Sequence, residues 1–580
     1  MPNVDKSNKS FYDNYMDNMG ESSRKDKALE EELYDKLNAS NCPKTSDRQS
    51  NSFRNADVRE ALGNMPDTLT FVPTTLSKSS IQATVKLLDA NGAFDFDVLK
   101  RTVDIDPGTP VDIFVPRTTT GPGDQFMRNH TWLRDLVRVA HRLLMGAKYL
   151  PVSVERQREL VVLGKKFLLS GASLMSTSSQ RERFENSIKN PTKAEERQNC
   201  PHVYWDHDNL DGSKMEDWMH QQDAFQMLAV YLVDALTRGD LAIGDLLPQH
   251  RMMLGYVVPY LAQVDFANRE THGTWEEVRA KRSSVIIWDN AAITTLKKAS
   301  AQPDFAFLRD QFEHWRQYLG QEFRSGDFTF IAEALEKNGA KTLHEQLPNE
   351  SPTYDESDPR FRRADAALMY GVEGDTLARI QSLLGLDENW ARTMQQSIYG
   401  QLQQLFDPET GAYRRYDDDV YQRIDEYRHT TQASLGPVYA CGDSTSTTQF
   451  LARKALLTRG ESPAWPLITW ELAAASGHRW MQTKDTQDLK RHLHLVVQGL
   501  RSVTGPNEWT IAPLEKGLSV TSVRAWQFPE CIQHIQLDDH GPDFRVVGPH
   551  APLAWAQAAA IDALGTAWKI AHTTSRLKRS

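Results

Sequence analysis

Two glutamates lie far apart in the chain, each in aromatic company. Glu276 follows a tryptophan in Gly273-Thr-Trp-Glu-Glu277, and Glu530 sits in Trp526-Gln-Phe-Pro-Glu-Cys-Ile532. A carboxyl held against an indole has its ionised form disfavoured, the environment that a general acid needs near neutral pH. A carboxylate in an apolar stretch needs a partner or a purpose. As a pair, one protonating a leaving oxygen and the other activating water, they fit glycoside hydrolysis. Adjacent glutamates are also common on solvated surfaces, so spacing alone leaves this pairing open.

Three further clusters carry mixed chemistry. Asn129-His-Thr-Trp-Leu-Arg-Asp135 opens a strong helix with an indole for an apolar sugar face (Trp132) and a guanidinium and carboxylate for hydroxyls (Arg134, Asp135). The plainer reading, an acid offsetting a helix dipole beside a core tryptophan, is the commoner one for such a string alone. In Trp218-Met-His-Gln-Gln-Asp-Ala224, Asp223 stands where a polar end meets the apolar stripe of Phe225, Leu228, Ala229 and Leu232, which is also where a simple cap would sit. Gly411-Ala-Tyr-Arg-Arg-Tyr-Asp-Asp-Asp-Val-Tyr421 follows the turn signal Asp407-Pro-Glu-Thr-Gly411 and interleaves rings with charges. A charge run is usually a solvated face, but the tyrosines tilt this one toward a polyhydroxylated ligand. Cys200, His202, Asp206, His207, Asp208 and Asp211 crowd one stretch, yet their spacing fits neither a zinc pattern nor a calcium loop. They read as a polar loop leading to Asp223, and no metal or cofactor is expected.

Groups this scattered meet only if a rigid scaffold gathers its loops. Amphipathic segments at helical spacing run over 132–149, 159–175, 218–236, 251–266, 283–299 and 305–323, and again over 376–406, 446–457, 464–475, 489–500 and 551–571. About a dozen helices without a long alternating strand series argue for an all-α body and against a parallel sheet or sandwich. Residues 104–115 fit a short hairpin. No period of 20 to 50 residues supports a solenoid. An all-helical toroid over 66–580 is the expectation. Of residues 1–65 only 8 are Leu, Ile, Val or Phe, too few to offset ordering entropy, so a disordered polar tail is expected there, with one short helix through Leu29, Leu33 and Leu37.

Composition bounds the function. Lys plus Arg at 67 against Asp plus Glu at 77 gives a net charge of −10, which disfavours a nucleic-acid partner. No run reaches the roughly 18 apolar residues of a membrane span, and the N-terminus has no apolar signal core. Four cysteines are too few and scattered for a disulfide framework. A soluble, cytoplasmic chain without a membrane partner is expected.

The order of the clusters resembles glycoside hydrolase family 15, the glucoamylases and glucodextranases, with the related α subunit of phosphorylase kinase. Trp132-Leu-Arg-Asp135 resembles that family's Trp-x-Arg-Asp, Gln221-Gln-Asp-Ala224 its Gln-Ile-Asp-Ala, and Trp275-Glu-Glu277 its Trp-Glu-Glu. Arg415-Tyr416, with Asp419 and Tyr421 following, is similar to its Arg-Tyr loop. Ser462-Pro-Ala-Trp-Pro-Leu-Ile-Thr469 resembles its Pro-Trp-Pro-Leu-Leu-Thr helix start. Phe528-Pro-Glu-Cys-Ile532 resembles its Ile-Pro-Glu-Gln-Val segment, and His550-Ala-Pro-Leu-Ala-Trp-Ala556 its closing helix.

The resemblance implies an (α/α)6 barrel, a six-hairpin toroid with a pocket closed at one end. It implies Glu276 as general acid and Glu530 as general base of an inverting reaction. Trp132, Arg134, Asp135, Asp223, Trp275, Glu277 and Arg415 would bind substrate. The implied activity is release of glucose from the nonreducing end of an α-glucoside or α-glucan, whether soluble oligosaccharide, glycogen or dextrin. The alternatives are a noncatalytic carbohydrate-binding regulator, like the kinase subunit, and a trehalase-like disaccharide hydrolase. Departures from the family pattern are Ala224, where an acid often stands, and an extra stretch between Tyr421 and Ser462. With the first motif already at Trp132, no N-terminal β-sandwich is expected, nor is a starch-binding domain. Raw granular starch is therefore expected to be a poor substrate.

Overall fold

The computed structural model describes residues 76–119, 129–194, 196, 199–210, 221–276, 278–321, 323–358, 360–417, 419, 462–505, 508–514, 517–536, 543–548 and 550–577. The expected tail and its short helix, the helix expected at 446–457, Asp211, Glu277 and Tyr421 lie outside these residues.

Helices dominate, and local chemistry starts and stops them. Helix α1 (Lys78–Ala90) opens on a Ser77–Ser80 capping box. A hairpin of β1 (Val98–Asp104) and β2 (Pro110–Pro116) follows, then β3 (His130–Trp132), α2 (Leu133–Gly146), α3 (Val154–Leu174), α4 (Ser178–Lys189) and β4 (Tyr204–Asp206). Next come α5 (Gln222–Thr237), α6 (Pro248–Gln263), with proline at its first position, α7 (Ser283–Ser300), α8 (Ala306–Trp315) and α9 (Phe328–Gln346), capped by Asp327. A 3₁₀ helix, Ala366–Val372, precedes α10 (Thr376–Leu384) and α11 (Trp390–Gln404). The chain continues through β5 (Phe406–Asp407), β6 (Ala412–Arg414), β7 (Ala464–Trp465), α12 (Pro466–Thr483) and α13 (Thr486–Arg501). It ends in β8 (Trp509–Leu514), β9 (Gly517–Ser522), β10 (Ile532–Gln536), β11 (Asp543–Val547) and α14 (Ala554–Leu577).

The packing closes a ring. Helix α2 packs on α5, α5 on α7, α7 on the 3₁₀ helix, that helix on α12, α12 on α14, and α14 back on α2. Each inner member carries an outer partner: α3, α6, α9, α11, α13 and, for α14, the N-terminal α1. This is the expected (α/α)6 toroid. Burial follows the layers: 13 of the 16 residues of α5 are buried, against 3 of the 15 of α11, so an inner helix is enclosed on all sides and an outer one on a single stripe. The closing seam is tight. A Cβ on Gly146 would stand 2.1 Å from the Asp562 backbone, and one on Gly565 would stand 2.4 Å from the Gly146 carbonyl, so α2 and α14 meet backbone to backbone.

Three differences from expectation have local causes. The segment 376–406 is two helices, because Gly385 turns left-handed (φ 62°) between α10 and α11. Helices α1, α4 and α9 form outside the segments named as helical. A seven-stranded sheet, ordered β5-β6-β7-β10-β11-β8-β9, stands beside the hairpin; its strands are two to six residues long, too short to show a clear alternation. The expected hairpin exists, with strands wider than 104–115.

The bore of the ring is ionic. Arg134, Arg138 and Arg142 recur every four residues along the inner face of α2. Arg138 binds Glu373 (2.8 Å) and Glu471, and Arg142 binds Glu373 (2.7 Å), Glu471 (2.9 Å) and Asp562 (3.1 Å). His478 and Trp555 complete the set on Asp562 (2.8 Å) and Glu471 (2.5 Å). Burial would push the carboxyls of Glu373 and Asp562 up, but Arg138 and Arg142 hold Glu373, and His478 with Arg142 holds Asp562, below their ordinary values.

Candidate active site

The N-terminal ends of all six inner segments are joined in one closed circuit of contacts. From α2, the guanidinium of Arg134 donates two parallel bonds to Asp223 in the first turn of α5 (Nε to Oδ2 and Nη2 to Oδ1, both 3.0 Å). Its Nη2 also donates to Gln221 (3.0 Å) and to the carbonyl of Gly273 (3.2 Å). The loop before α7 continues the circuit: Thr274 donates to Asp223 (3.3 Å), and the Trp275 indole donates to Asp365 (2.6 Å), which caps the 3₁₀ helix. The Ala366 amide donates to the Arg415 carbonyl (2.6 Å), and the Arg415 side chain lies 4.6 Å over the Trp465 ring that ends β7 before α12. Ala464 pairs with Ile532, two residues beyond Glu530; the Glu530 amide donates to the His550 carbonyl (3.0 Å). The Ala554 amide donates to the Thr118 carbonyl (3.0 Å), and the Thr118 hydroxyl to the His130 carbonyl (3.2 Å), which returns to α2.

One rim therefore carries Arg134, Asp223, Trp275, Glu276, Arg415 and Glu530, from five separate stretches of sequence. The inner segments turn the positive ends of their helix dipoles toward it, a setting that favours anionic groups. Glu276 accepts from Arg134 Nη1 at 3.4 Å and adopts φ 59°, a left-handed conformation that a non-glycine residue holds only where its surroundings enforce it. Gly273, also left-handed (φ 68°), sets the turn: a Cβ there would stand 2.3 Å from the Arg282 side chain. Glu530 is buried, with a carboxylate oxygen 3.8 Å from His550 Nε2.

The remaining expected residues divide between wall and support. Asp223, expected to bind substrate, is wholly buried, and its carboxylate is taken up by Arg134 and Thr274. Arg134 itself stays charged: burial opposes the charge, and the Asp223 and Glu276 carboxylates outweigh it, raising its pKa. Asp135 is different. Burial, with the Glu276 carboxylate adding to it and Arg134 opposing, pushes its carboxyl up to about 7. Trp132 stacks on Tyr204 (5.9 Å, 19°), forming an aromatic wall with His130 beside it. Arg415 is clamped by Asp419 (2.7 and 2.6 Å) and held between the rings of Trp275 and Trp465. In the polar stretch before Asp223, His207 bonds Thr131 (2.8 Å) and Asp206 lies 3.9 Å from His130. Among the described residues no group of three His, Cys, Asp or Glu is placed to hold a metal ion.

Two working residues carry no sequence signal of their own. Asp365 links the Trp275 loop to Arg362 (3.0 Å), and Tyr370 stands beneath Arg138 with its ring 5.3 Å from that guanidinium. Their roles come from the 3₁₀ helix, which is too short for a periodic pattern. His550 and Trp465 lie in segments quoted above, but only the fold shows what they touch.

No protein-family model and no curated protein sequence matches the chain. Among solved structures it is similar to a glycosidase variant in complex with glucose, at 13% identity over 89% of this chain and 98% of that one, with a TM-score of 0.44. It is also similar to the glucoamylase of Hormoconis resinae (11%, 84% and 73%, TM-score 0.41) and to the cellobiose 2-epimerase of Spirochaeta thermophila (11%, 86% and 100%, TM-score 0.39). Likenesses this weak carry no argument about chemistry.

Proposed function

We propose that this chain is an inverting glycoside hydrolase that releases glucose from the nonreducing end of α-glucosides or α-glucans. The observation that carries the reading is the closed circuit of contacts, which sets Glu276 and Glu530 on one rim with two positioned arginines and three tryptophans. Glu276 gives its proton to the glycosidic oxygen as that bond breaks. Glu530 takes a proton from the water that attacks the anomeric carbon from the opposite face. Room for that water requires the carboxyls to stand roughly 6.5 to 9.5 Å apart. Arg134 and Arg415, each fixed by a buried carboxylate, orient sugar hydroxyls, and a sugar with a mismatched hydroxyl leaves them unpaired. Asp135 and Glu277 add further polar contacts. Trp132, Trp275 and Trp465 supply apolar walls.

The test is to offer maltose, isomaltose, trehalose and glycogen side by side and follow the anomer released by NMR. β-Glucose from an α-glucoside supports the reading. Glu276→Gln and Glu530→Gln should each lower turnover by about 10²- to 10⁴-fold while sparing most binding. Near-full rate in either variant, or binding without hydrolysis in the unmodified chain, would remove it.

A further inference from the structure

The rim's second glutamate stands in a segment whose backbone is fixed on both sides. Thr504 clasps the approach to it: the Thr504 amide donates to the Gln527 carbonyl (2.9 Å), the Gln527 amide to the Thr504 hydroxyl oxygen (2.7 Å), and the Trp526 amide to the Thr504 carbonyl (2.8 Å). Phe528 is then gripped by two rings, stacked on Phe94 (6.2 Å, 15°) and edge-on to Trp470 (5.7 Å, 80°). From Phe528 onward the segment is laced to the stretch that enters α14. The Leu553 amide donates to the Phe528 carbonyl (2.8 Å), the Glu530 amide to the His550 carbonyl (3.0 Å), and the Gly548 amide to the Cys531 carbonyl (2.9 Å). Three bonds in that antiparallel order fix which residue stands opposite Glu530, and it is His550.

The side chains meet where the backbones do. His550 is 2% exposed and Glu530 7%, and Phe528, Ile532 and Ala551, beside them in the chain, are buried and apolar. His550 Nε2 lies 3.8 Å from Glu530 Oε2, within ion-pair reach and beyond a hydrogen bond. A buried carboxylate needs a positive or hydrogen-bearing neighbour, and an imidazole supplies one, charged or neutral, whenever Nε2 carries its hydrogen.

For a base, the kind of neighbour matters. A bidentate arginine occupies both carboxylate oxygens and competes with the proton that a base must accept. A single imidazole nitrogen turned toward Oε2 orients the group through that one oxygen. We infer that His550 is a positioning residue for Glu530: it holds Oε2 so that Oε1 faces the attacking water and takes its proton. It acts through Glu530 rather than on the sugar, and this role rests on the proposed use of Glu530 as general base.

Two measurements on the full chain separate this role from the hydrolase reading. The unmodified chain and its His550→Leu, His550→Gln and Glu530→Gln variants are labelled with carbon-13 at histidine Cε1 and compared by NMR, and circular dichroism shows which variants retain their helices. The His550 ring signal is the one missing from a folded His550 variant. It should move in Glu530→Gln, while the signals of His478, held by Asp562 (2.8 Å), and His492, held by the Ala473 carbonyl (2.7 Å), stay in place. That readout needs no turnover. The second is kinetics on whichever of maltose, isomaltose, trehalose and glycogen the unmodified chain hydrolyses. His550→Leu should lower kcat about 10- to 100-fold, the effect of a misplaced reacting group, with KM nearly unchanged. His550→Gln, which keeps an N–H close to the place of Nε2, should recover most of that loss; a residue that only fills apolar space would give the reverse order. A ring signal unmoved by Glu530→Gln, full kcat in a folded His550→Leu variant, or a His550→Gln variant no better than His550→Leu would each overturn the positioning role and leave the hydrolase reading standing. No hydrolysis by the unmodified chain would remove that reading and the positioning role with it, even with the ring signal moving.

Discussion

Arg134→Met should be among the most damaging single changes in the protein, and the reason can be isolated. Arg134 and Asp223 are both nearly or wholly inaccessible (3% and 0% of side-chain surface) and share two parallel 3.0 Å bonds. Removing one partner of a buried pair costs about 3–5 kcal/mol, because the other charge is stranded. The Thr274 hydroxyl at 3.3 Å is the chief remaining donor to that carboxylate. Removing both charges with apolar groups of similar volume costs far less. The double variant Arg134→Met/Asp223→Leu should therefore be more stable than either single variant, with a coupling energy of about 2–4 kcal/mol. Arg134→Lys keeps the charge but loses the fork and should fall between. Urea unfolding at 15 °C, followed by tryptophan fluorescence, measures all four corners. Single-variant losses that simply add, with coupling under about 1 kcal/mol, would show that the pair does not hold the rim together as argued.

Three other perturbations test separate parts of the structure. Asp135, pushed up to about 7, binds a proton in the folded chain at pH values where the unfolded chain has lost it; stability therefore falls as pH rises from about 4 to about 7. Asp135→Asn should abolish that fall, so melting curves of the two proteins converge near pH 4 and separate toward pH 7; parallel curves would contradict it. Asp289 is raised well above its ordinary value by burial, and Gln222 donates to it at 2.6 Å. Asp289→Asn should accordingly leave the melting temperature unchanged or higher at pH 7, and a large drop would mean that the residue is buried as a charge. Gly146→Ala should lower the melting temperature despite alanine's better helix propensity. A Cβ 2.1 Å from the Asp562 backbone cannot be relieved by a rotamer change, and overpacking costs about 1–3 kcal/mol; a raised melting temperature would show that the α2–α14 seam is looser than described.

The fold was legible where helices are long and apolar, and less so where the inner ring is short. The segments that became α2, α5, α7, α12 and α14 announce themselves because an enclosed helix must be buried over most of its surface. The fourth inner member, Ala366–Val372, is seven residues of 3₁₀ helix and offers no period to read. Its outer partner was merged with its neighbour because a single left-handed residue, Gly385, divides them. The short strands at the rim escaped for the same reason of length. Their pairing, Tyr413 with Trp465 and Ala464 with Ile532, is set by the positions of the helices they connect rather than by an alternation of their own.

The site follows a different logic. Arg134, Asp223, Glu276 and Arg415 stood out as unusual residues beside helix starts, and the ring turns that position into proximity: six inner segments point the same way, so their first turns meet at one end. What sequence position does not encode is which groups bind a ligand and which bind each other. Asp223 and Asp419 each accept two bonds from Arg134 and Arg415, while Glu276 stands in a left-handed turn and accepts from Arg134 at 3.4 Å. A carboxylate matched by a bidentate arginine has few lone pairs left for a sugar hydroxyl. Which carboxylates are already committed to an arginine therefore follows from the folded contacts of each acid, not from its place beside a helix start.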